Sequence, residues 1–210
     1  MQITATSLGK RFQRDWIFRG LTHLFRPGSA TAVLGPNGAG KSTLLNTISG
    51  QLLPTEGKLA YTLAGRPVAV EDLPRHLAYA APYLELLEEL TLREMLHFHT
   101  RFKALRPGVS AEALIDLMYL EKSRHQLVRE FSSGMKQRLK LGLALYADAP
   151  LLLLDEPTTN LDATGVAWYQ EHVQATRAGR TLLLSSNVPA EYACCDELLL
   201  VTDYQNIRAR

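Results

Sequence analysis

The sequence has few cysteines and no long apolar segment in its 210 residues. Its two cysteines, Cys194 and Cys195, are adjacent, whereas a disulfide framework needs separated pairs and a metal site needs ligands at suitable spacing. The uncharged runs 27–40 and 42–55 contain glycine, proline and polar residues and are shorter than the roughly 20 apolar residues of a membrane helix. We therefore expect a soluble, intracellular protein without a structural metal, a signal peptide or a membrane span.

The sequence also lacks an excess of charge of one sign. It contains 23 Lys and Arg residues against 21 Asp and Glu residues, a net charge of +2 at pH 7. This balance gives no reason to expect a nucleic-acid partner, because binding to a phosphate backbone relies on a strongly basic surface. A hydrophobic fraction of 46% and a charged fraction of 21% are typical of a globular domain and exclude a collagen, a disordered tail and a coiled coil.

Apolar runs of strand length alternate with helical patterns along the chain. We predict strands at 2–8, as a sheet edge, and at 29–34, 59–63, 77–80, 151–154, 181–184 and 197–201. Helices are predicted at 42–49, 92–102, 110–118 and 135–147. This alternation favours an α/β fold with a parallel sheet. The helical middle predicts a lobe at about 83–135, inserted into a core of about 1–82 and 136–210 within a single domain.

A glycine-rich segment joins the strand at 29–34 to the helix at 42–49. It matches G-x-x-x-x-G-K-[ST], the phosphate loop, as Gly35-Pro36-Asn37-Gly38-Ala39-Gly40-Lys41-Ser42. Glycines let such a loop curl so that backbone N–H groups point at phosphate oxygens, and the helix N-terminus adds its dipole. Lys41 would contact the β- and γ-phosphates and the Ser42 hydroxyl would bind Mg²⁺, with Thr43 beside them. The alternative is a plain strand–turn–helix corner.

Two acidic residues follow a run of four leucines at 151–154. Asp155 and Glu156 stand at the carboxyl end of this predicted strand, where ligands of open α/β sheets bind. Asp155 would hold Mg²⁺ through its water shell, and Glu156 would orient and deprotonate an attacking water. The alternative is a charged strand terminus without chemistry.

A serine-rich segment precedes the helix at 135–147. Ser132, Ser133 and Gly134 supply a capping hydroxyl and free N–H groups at a helix N-terminus, which is a phosphate-binding arrangement. Taken alone, the segment is equally compatible with a simple helix cap. Its place between the phosphate loop and the acidic pair favours nucleotide binding.

These three motifs, in this order, resemble those of the ATP-binding subunits of ATP-binding cassette (ABC) transporters. Residues 35–42 resemble Walker A, 151–156 resemble Walker B with its catalytic glutamate, and 131–135 resemble the signature sequence, with Ser132 at the signature serine. Residues 160–162 resemble the D-loop. The resemblance covers essentially the whole chain and implies a P-loop ATPase core with an inserted helical subdomain, ATP and Mg²⁺ as ligands, and a dimer that closes on ATP.

The resemblance also assigns residues outside the three motifs. An aromatic residue near the N-terminus stacks on adenine in this family, and Phe12 stands at the matching place, with Trp16 as the alternative. Either ring could instead pack on the sheet. Two positions depart from the family pattern: Pro82 replaces a glutamine, and Asn187 replaces a histidine, with Ser186 as the alternative occupant. Because neither substitute matches the chemistry of the residue it replaces, we expect ATP hydrolysis to be slow.

The resemblance implies an ATPase subunit at the inner face of the cell membrane, bound to a separate permease. Its partner in the dimer would be a second copy or a sister chain, with the second copy preferred. The segment at 90–98 resembles, more weakly, the ATPases of haem exporters for cytochrome c maturation. The alternatives are a non-transport ABC ATPase acting on DNA or ribosomes, and a nucleotide-gated subunit with little hydrolysis. The resemblance implies that the contacts with the cargo lie on the permease.

Overall fold

The computed structural model describes residues 1–205, and residues 206–210, the end of the predicted core, lie outside this range. The strands of the described part are β1 (Gln2–Phe12), β2 (Asp15–Phe25), β3 (Ala30–Leu34), β4 (Glu56–Leu63), β5 (Arg66–Val68), β6 (Leu77–Ala80), β7 (Leu151–Asp155), β8 (Thr181–Ser185) and β9 (Glu197–Leu200). Its α-helices are α1 (Lys41–Ile48), α2 (Leu73–His76), α3 (Leu92–Thr100), α4 (Ala111–Leu117), α5 (Ser133–Leu145), α6 (Ala163–Thr176) and α7 (Pro189–Tyr192). None of these helices has the length and apolar character needed to cross a bilayer.

The strands form two sheets. The larger is parallel, with the order β6-β7-β8-β3-β9, and confirms the predicted α/β fold. The smaller is antiparallel, with the order β2-β1-β4-β5. The prediction of 2–8 as an edge strand is wrong, because β1 lies between β2 and β4, and Ile3 pairs with both Phe25 and Tyr61.

Strand β2 was not predicted because its buried side chains do not alternate. Phe18, Leu21 and Phe25 are fully buried at a spacing of three and four residues, which is the spacing of a helical face. The register between β1 and β2 shifts three times along the pair. Each such irregularity changes which residues face the core and so removes the period-two signal of a strand.

The parallel sheet has a buried core on each face. Leu151 and Leu153 of β7 pack into a cluster with Leu44, Leu45 and Ile48 of α1 and with the antiparallel sheet. Their neighbours Leu152 and Leu154 face the opposite cluster, which contains α5, α6 and the buried side chains of α3 and α4. A strand buried on both faces needs a continuous apolar run, which explains the four leucines. Helix α1 and helix α5 therefore cover opposite faces of the sheet.

Side-chain caps begin the helices between β6 and β7, and of the caps at α3 and α4 only the one at Ser110 was predicted. Thr91 and Glu94 form a capping box at α3, and Ser110 caps α4 by accepting a hydrogen bond from the Ala113 N–H. Helix α3 ends at Thr100, so Phe102 lies beyond it and is 73% exposed. Helix α6 was not predicted; Asp162 caps it, and the Trp168 indole N–H donates to the Leu117 carbonyl at 2.7 Å.

Candidate nucleotide-binding site

The loop between β3 and α1 is shaped by glycines in backbone conformations that other residues avoid. Gly38 has φ of +80° and Gly40 has φ of +91°, both in the left-handed region. Gly40 is also the N-cap of α1, and a Cβ atom there would lie 2.2 Å from Ile17 Cγ2 on β2. The turn therefore requires glycine at position 40 for both its backbone angle and its contact with the antiparallel sheet.

Lys41 is a buried cation, with only 4% of its surface exposed. Its Nζ donates hydrogen bonds to the carbonyl oxygens of Gly35, at 2.8 Å, and Pro36, at 3.3 Å. Within the described residues no carboxylate forms an ion pair with it. A buried ammonium group is costly without a counter-charge, so this position suits an anionic ligand held by the loop.

Asp155 ends β7 and is almost completely buried. It lies opposite Ser185 on β8, and the Ser185 hydroxyl donates a hydrogen bond to Oδ1. The other oxygen, Oδ2, is buried and has no hydrogen-bond partner among residues 1–205. Buried carboxylate oxygens are normally satisfied, so the orphaned Oδ2 fits a cation or a water bound to one.

The residues present fit Mg²⁺ held together with phosphates. Mg²⁺ keeps several waters and takes one or two protein oxygens in addition to substrate phosphates. Asp155 and the Ser42 hydroxyl, in the first turn of α1, supply such oxygens. Within residues 1–205 no group of three or more His, Cys, Asp or Glu side chains is placed to hold a metal by itself. Phosphate oxygens would complete the coordination of a cation held by Asp155 and Ser42.

Glu156 has a strained backbone directly after β7. Its φ is +44°, which is uncommon for a residue with a long side chain, and its N–H donates to the Ser185 carbonyl at 2.9 Å. Strain of this kind concentrates at functional sites, where the surrounding structure holds it in place. The strand pairing of β7 with β8 thus fixes both acidic residues at the same edge of the sheet.

The Asn187 amide contacts the phosphate loop. Its Nδ2 lies 2.7 Å from Asn37 Oδ1, and in the opposite amide orientation, which satisfies donors and acceptors better, its oxygen lies 3.1 Å from Lys41 Nζ. Ser186, the alternative occupant, is fully buried, and its hydroxyl accepts a hydrogen bond from the Val188 N–H. Of the two candidates, Asn187 is the one whose side chain faces the loop.

Phe12 and Trp16 differ in their surroundings. Phe12 is 46% exposed at the end of β1, with Lys10 Nζ 5.0 Å from its ring centre. The guanidinium groups of Arg11 and Arg19 lie 5.3 and 4.6 Å from the centre of the Trp16 ring. Because these cations already occupy the Trp16 ring, Phe12 has more surface left for stacking on a base.

The serine-rich segment forms a helix entry away from the phosphate loop. Ser132 is the N-cap of α5 and accepts a hydrogen bond from the Met135 N–H, while Ser133 is the first residue of the helix. A Cβ at Gly134 would lie 3.2 Å from the Asn160 carbonyl oxygen, so glycine lets the helix entry approach the loop after β7 closely. These residues line an open groove of about 580 Å³.

The structure brings only part of the predicted site together. Neighbouring strands β3, β8 and β7 place the phosphate loop, Asn187, Asp155 and Glu156 at one sheet edge. The serine-rich segment belongs to α5, on the face opposite α1. A nucleotide bound at the loop of one chain would therefore leave the 132–134 segment of that chain unused.

Two polar residues at this edge were missed by sequence reasoning. Ser185 ends β8 in the same way as Asp155 ends β7. A polar residue directly after a run of leucines could therefore have identified Ser185 as a candidate site residue. Glu191 is buried and accepts a hydrogen bond from the Thr158 N–H at 3.0 Å, which connects the loop after β7 to α7. No sequence pattern pointed to that contact, because the two residues meet only in the folded chain.

The comparisons with known proteins agree with this geometry. The family model described as ABC transporter matches residues 18–159. The Nod factor export ATP-binding protein I of Rhizobium etli is 33% identical over 98% of this chain, which spans only 66% of that relative's length. The ABC transporter ATP-binding protein YybJ of Bacillus subtilis (strain 168) is 28% identical over 88% of this chain and 85% of its own length. A solved structure of the ATP binding subunit of an ABC transporter has 27% identity and a TM-score of 0.81, covering 95% of this chain and 85% of that chain.

Proposed function

The chain belongs to the ABC transporter family, and from this premise we propose that it binds and hydrolyses ATP to power a separate membrane permease. The observation that carries the proposal is the pair of unsatisfied charges at one sheet edge. Lys41 is a buried cation without a carboxylate partner among the described residues, and Asp155 has an orphaned buried oxygen. An anionic phosphate chain and its cation would satisfy both.

Each side chain has a distinct task in this proposal. Lys41 and the N–H groups of the loop would hold the phosphates, and Ser42 and Asp155 would hold Mg²⁺. Bound Mg²⁺ would neutralise charge on the phosphate oxygens. Glu156 would accept a proton from the water that attacks the γ-phosphorus while the bond to the ADP oxygen breaks.

The residues around these groups complete the proposed site. Asn187 would donate a hydrogen bond to the γ-phosphate, although it cannot become cationic as a histidine can. Phe12 would stack on the adenine, and Thr43 would contribute beside Ser42 at the start of α1. Hydrolysis is expected to be slow because Pro82 provides neither a side-chain acceptor nor an N–H.

We further propose that two copies of the chain join head to tail. Ser132, Ser133 and Gly134 open onto a groove on the α5 face, whereas the phosphate loop belongs to the α1 face. In a two-fold dimer the segment 132–134 of one copy would close over the phosphate loop of the other. Each of the two ATP sites would then contain residues from both chains.

The permease would hold the dimer at the inner face of the cell membrane, with the ATPase on the cytoplasmic side. ATP binding would close the dimer, and hydrolysis with product release would reopen it. The R. etli relative is named for Nod factor export, and neither relative reported above is named for haem export. These names give no support to haem, the cargo suggested by the segment at 90–98. In our proposal the permease, and not this chain, contacts the cargo.

Hydrolysis activity with and without the permease tests the proposal. Wild type should hydrolyse ATP measurably, and Glu156→Gln should bind ATP but lose about 10²–10⁴-fold in rate, the usual contribution of a general base. The Glu156→Gln protein should also accumulate as an ATP-bound dimer on gel filtration. If wild type is no faster than Glu156→Gln with the permease present, the chain is a nucleotide-gated subunit and the ATPase proposal fails.

A further inference from the structure

Two tyrosines and an asparagine form a hydrogen-bonded cluster beside the proposed site. Tyr79 is on β6, and Tyr83 follows that strand by three residues. Their hydroxyl oxygens lie 2.5 Å apart, and each lies 3.1 Å from Asn46 Oδ1 on α1. The cluster thus joins the helix that begins at Lys41 to the segment after β6.

The cluster lies at the same sheet edge as Asp155. Strands β6 and β7 are parallel neighbours, with Ala80 opposite Leu154, so the residues following each strand emerge side by side. Burial and the nearby negative charge of Asp155 raise the pKa of Tyr83, against the opposing effect of its hydrogen bond with Tyr79. Both observations place the Tyr83 hydroxyl near the Asp155 carboxylate.

The Tyr83 oxygen keeps acceptor capacity that the cluster does not use. The cluster has three contacts but only two hydroxyl protons. Tyr79 can donate to Asn46 Oδ1 while Tyr83 donates to the Tyr79 oxygen, so the Tyr83 oxygen can accept a hydrogen bond from a water molecule. Tyr83 is the outer member, with 49% of its surface exposed, so its hydroxyl can also meet water.

We propose that the Tyr83 hydroxyl positions the water shell of the cation held by Asp155, with Tyr79 and Asn46 fixing its place. The orphaned Asp155 Oδ2 defines where that water shell would lie. Pro82, the preceding residue, contributes only its carbonyl oxygen, which accepts a hydrogen bond from Lys140 Nζ at 2.5 Å. This inference rests on the proposed function and names Tyr83 as a positioning residue of the same site.

The test measures how strongly a divalent cation supports nucleotide binding. In a Glu156→Gln background, binding of a fluorescent ATP analogue is followed against Mn²⁺ concentration and again in EDTA. Tyr83→Phe, which removes only the hydroxyl, should raise the half-saturating Mn²⁺ concentration about 10- to 100-fold, the usual effect of losing an outer-shell partner. Affinity for the analogue in EDTA should stay within about twofold, because the phosphate loop is unchanged.

Tyr61→Phe is the matched control. The Tyr61 hydroxyl also binds α1, donating to the Ile48 carbonyl at 2.8 Å, but it lies in the core shared with the antiparallel sheet. Its loss should leave the Mn²⁺ dependence unchanged. Asn46→Ala, which releases the Tyr83 hydroxyl without removing it, should raise the half-saturating Mn²⁺ concentration less than Tyr83→Phe does.

The outcomes separate this inference from the proposed function. If Tyr83→Phe and Asn46→Ala both bind the analogue with the Mn²⁺ dependence of the parent, the inference is wrong while the ATP site stands. An equal shift in Tyr61→Phe also overturns it, because the effect would then come from α1 stability. If the parent binds no analogue with Mn²⁺, the proposed function fails and the inference fails with it.

Discussion

At the scale of single residues, the site is distinguished by charges that the fold leaves unsatisfied. Arg180 provides the contrast, because it is as buried as Lys41. Its guanidinium donates to the carbonyl oxygens of Ala149, Leu145 and Ala144, at 2.8, 2.7 and 3.2 Å, and so caps the end of α5. Burial lowers the pKa of Arg180 to about 10, and the residue remains a structural cation. Lys41 has only two such bonds to carbonyl oxygens, and its third proton faces the Asn187 amide, which a ligand can replace.

Asn187 offers a direct test of why hydrolysis should be slow. Asn187→His should raise the rate constant for ATP hydrolysis roughly tenfold or more, because a histidine can become cationic and a charge-assisted hydrogen bond to the γ-phosphate is about twice as strong as a neutral one. Affinity for ATP should change little, since the new group would act mainly on the γ-phosphate as its charge redistributes. Steady-state ATPase assays over a range of ATP concentrations separate the two parameters.

Asn187→Ala is the control for that substitution. It removes the contact with Asn37 and supplies no donor, so its rate should fall below that of wild type. A histidine variant no faster than the alanine variant would mean that position 187 does not reach the γ-phosphate in the closed state.

At the scale of elements, the sequence predicted the bounds of strands and helices best where the local pattern is strong. The leucine runs of β7 and β8 and the glycine-rich turn before α1 each carry a local pattern, and their strands and helix were predicted to within about two residues. Strand β2 was missed because its bulged pairing with β1 gives a helical spacing of apolar residues. The strand conformation of β2 is therefore evident from its pairing with β1 and not from the spacing of its apolar residues.

In the candidate site, too, contiguous motifs could be predicted from the sequence, whereas contacts between distant segments could not. The loop 35–42 and the acidic pair 155–156 are contiguous motifs and could be identified directly. The Tyr83 cluster could not, because it requires β6 to lie next to β7 and α1 to pack across the same edge. That order of strands is set by tertiary packing, which a single sequence does not display.

Helix α6 is a further element whose role depends on packing. Trp168 is 2% exposed and joins α6 to the end of α4 through its bond to the Leu117 carbonyl. Trp168→Ala should lower the free energy of unfolding by about 3–5 kcal/mol, because it leaves a cavity and an unpaired carbonyl. Urea denaturation measures the change. Gln174→Ala, at an exposed position on the same helix, should stay within about 0.5 kcal/mol of wild type.

At the scale of the whole molecule, the parallel sheet separates the two halves of the proposed ATP site. The phosphate loop begins the helix on one face, and Ser132 caps the helix on the other. Successive leucine side chains of β7 pack alternately into the core on one face and the core on the other. Neither helix can therefore move to the other face without disrupting the packing of the sheet. In the proposed dimer, each chain would contribute one surface to each ATP site, and a symmetric pair of chains would complete both sites.

Mixing two inactive variants tests this shared site. Lys41→Ala should abolish ATP binding at its own loop, and Ser132→Arg should block the site that its segment completes in the partner. A mixed dimer then carries one intact site and one doubly defective site. At equal concentrations half of the dimers are mixed, so the mixture should recover at most about one quarter of wild-type ATPase activity.

A chain carrying both substitutions distinguishes a shared site from a site within one chain. In a mixed dimer with wild type, the double variant inactivates both shared sites, because each site then contains one altered surface. Adding an equal amount of it should therefore halve the ATPase activity per wild-type chain, whereas a site built within one chain would leave that activity unchanged. Recovery in the first mixture together with loss in the second requires that Lys41 and Ser132 act across the dimer. No recovery, or full activity, in the first mixture contradicts the head-to-tail arrangement.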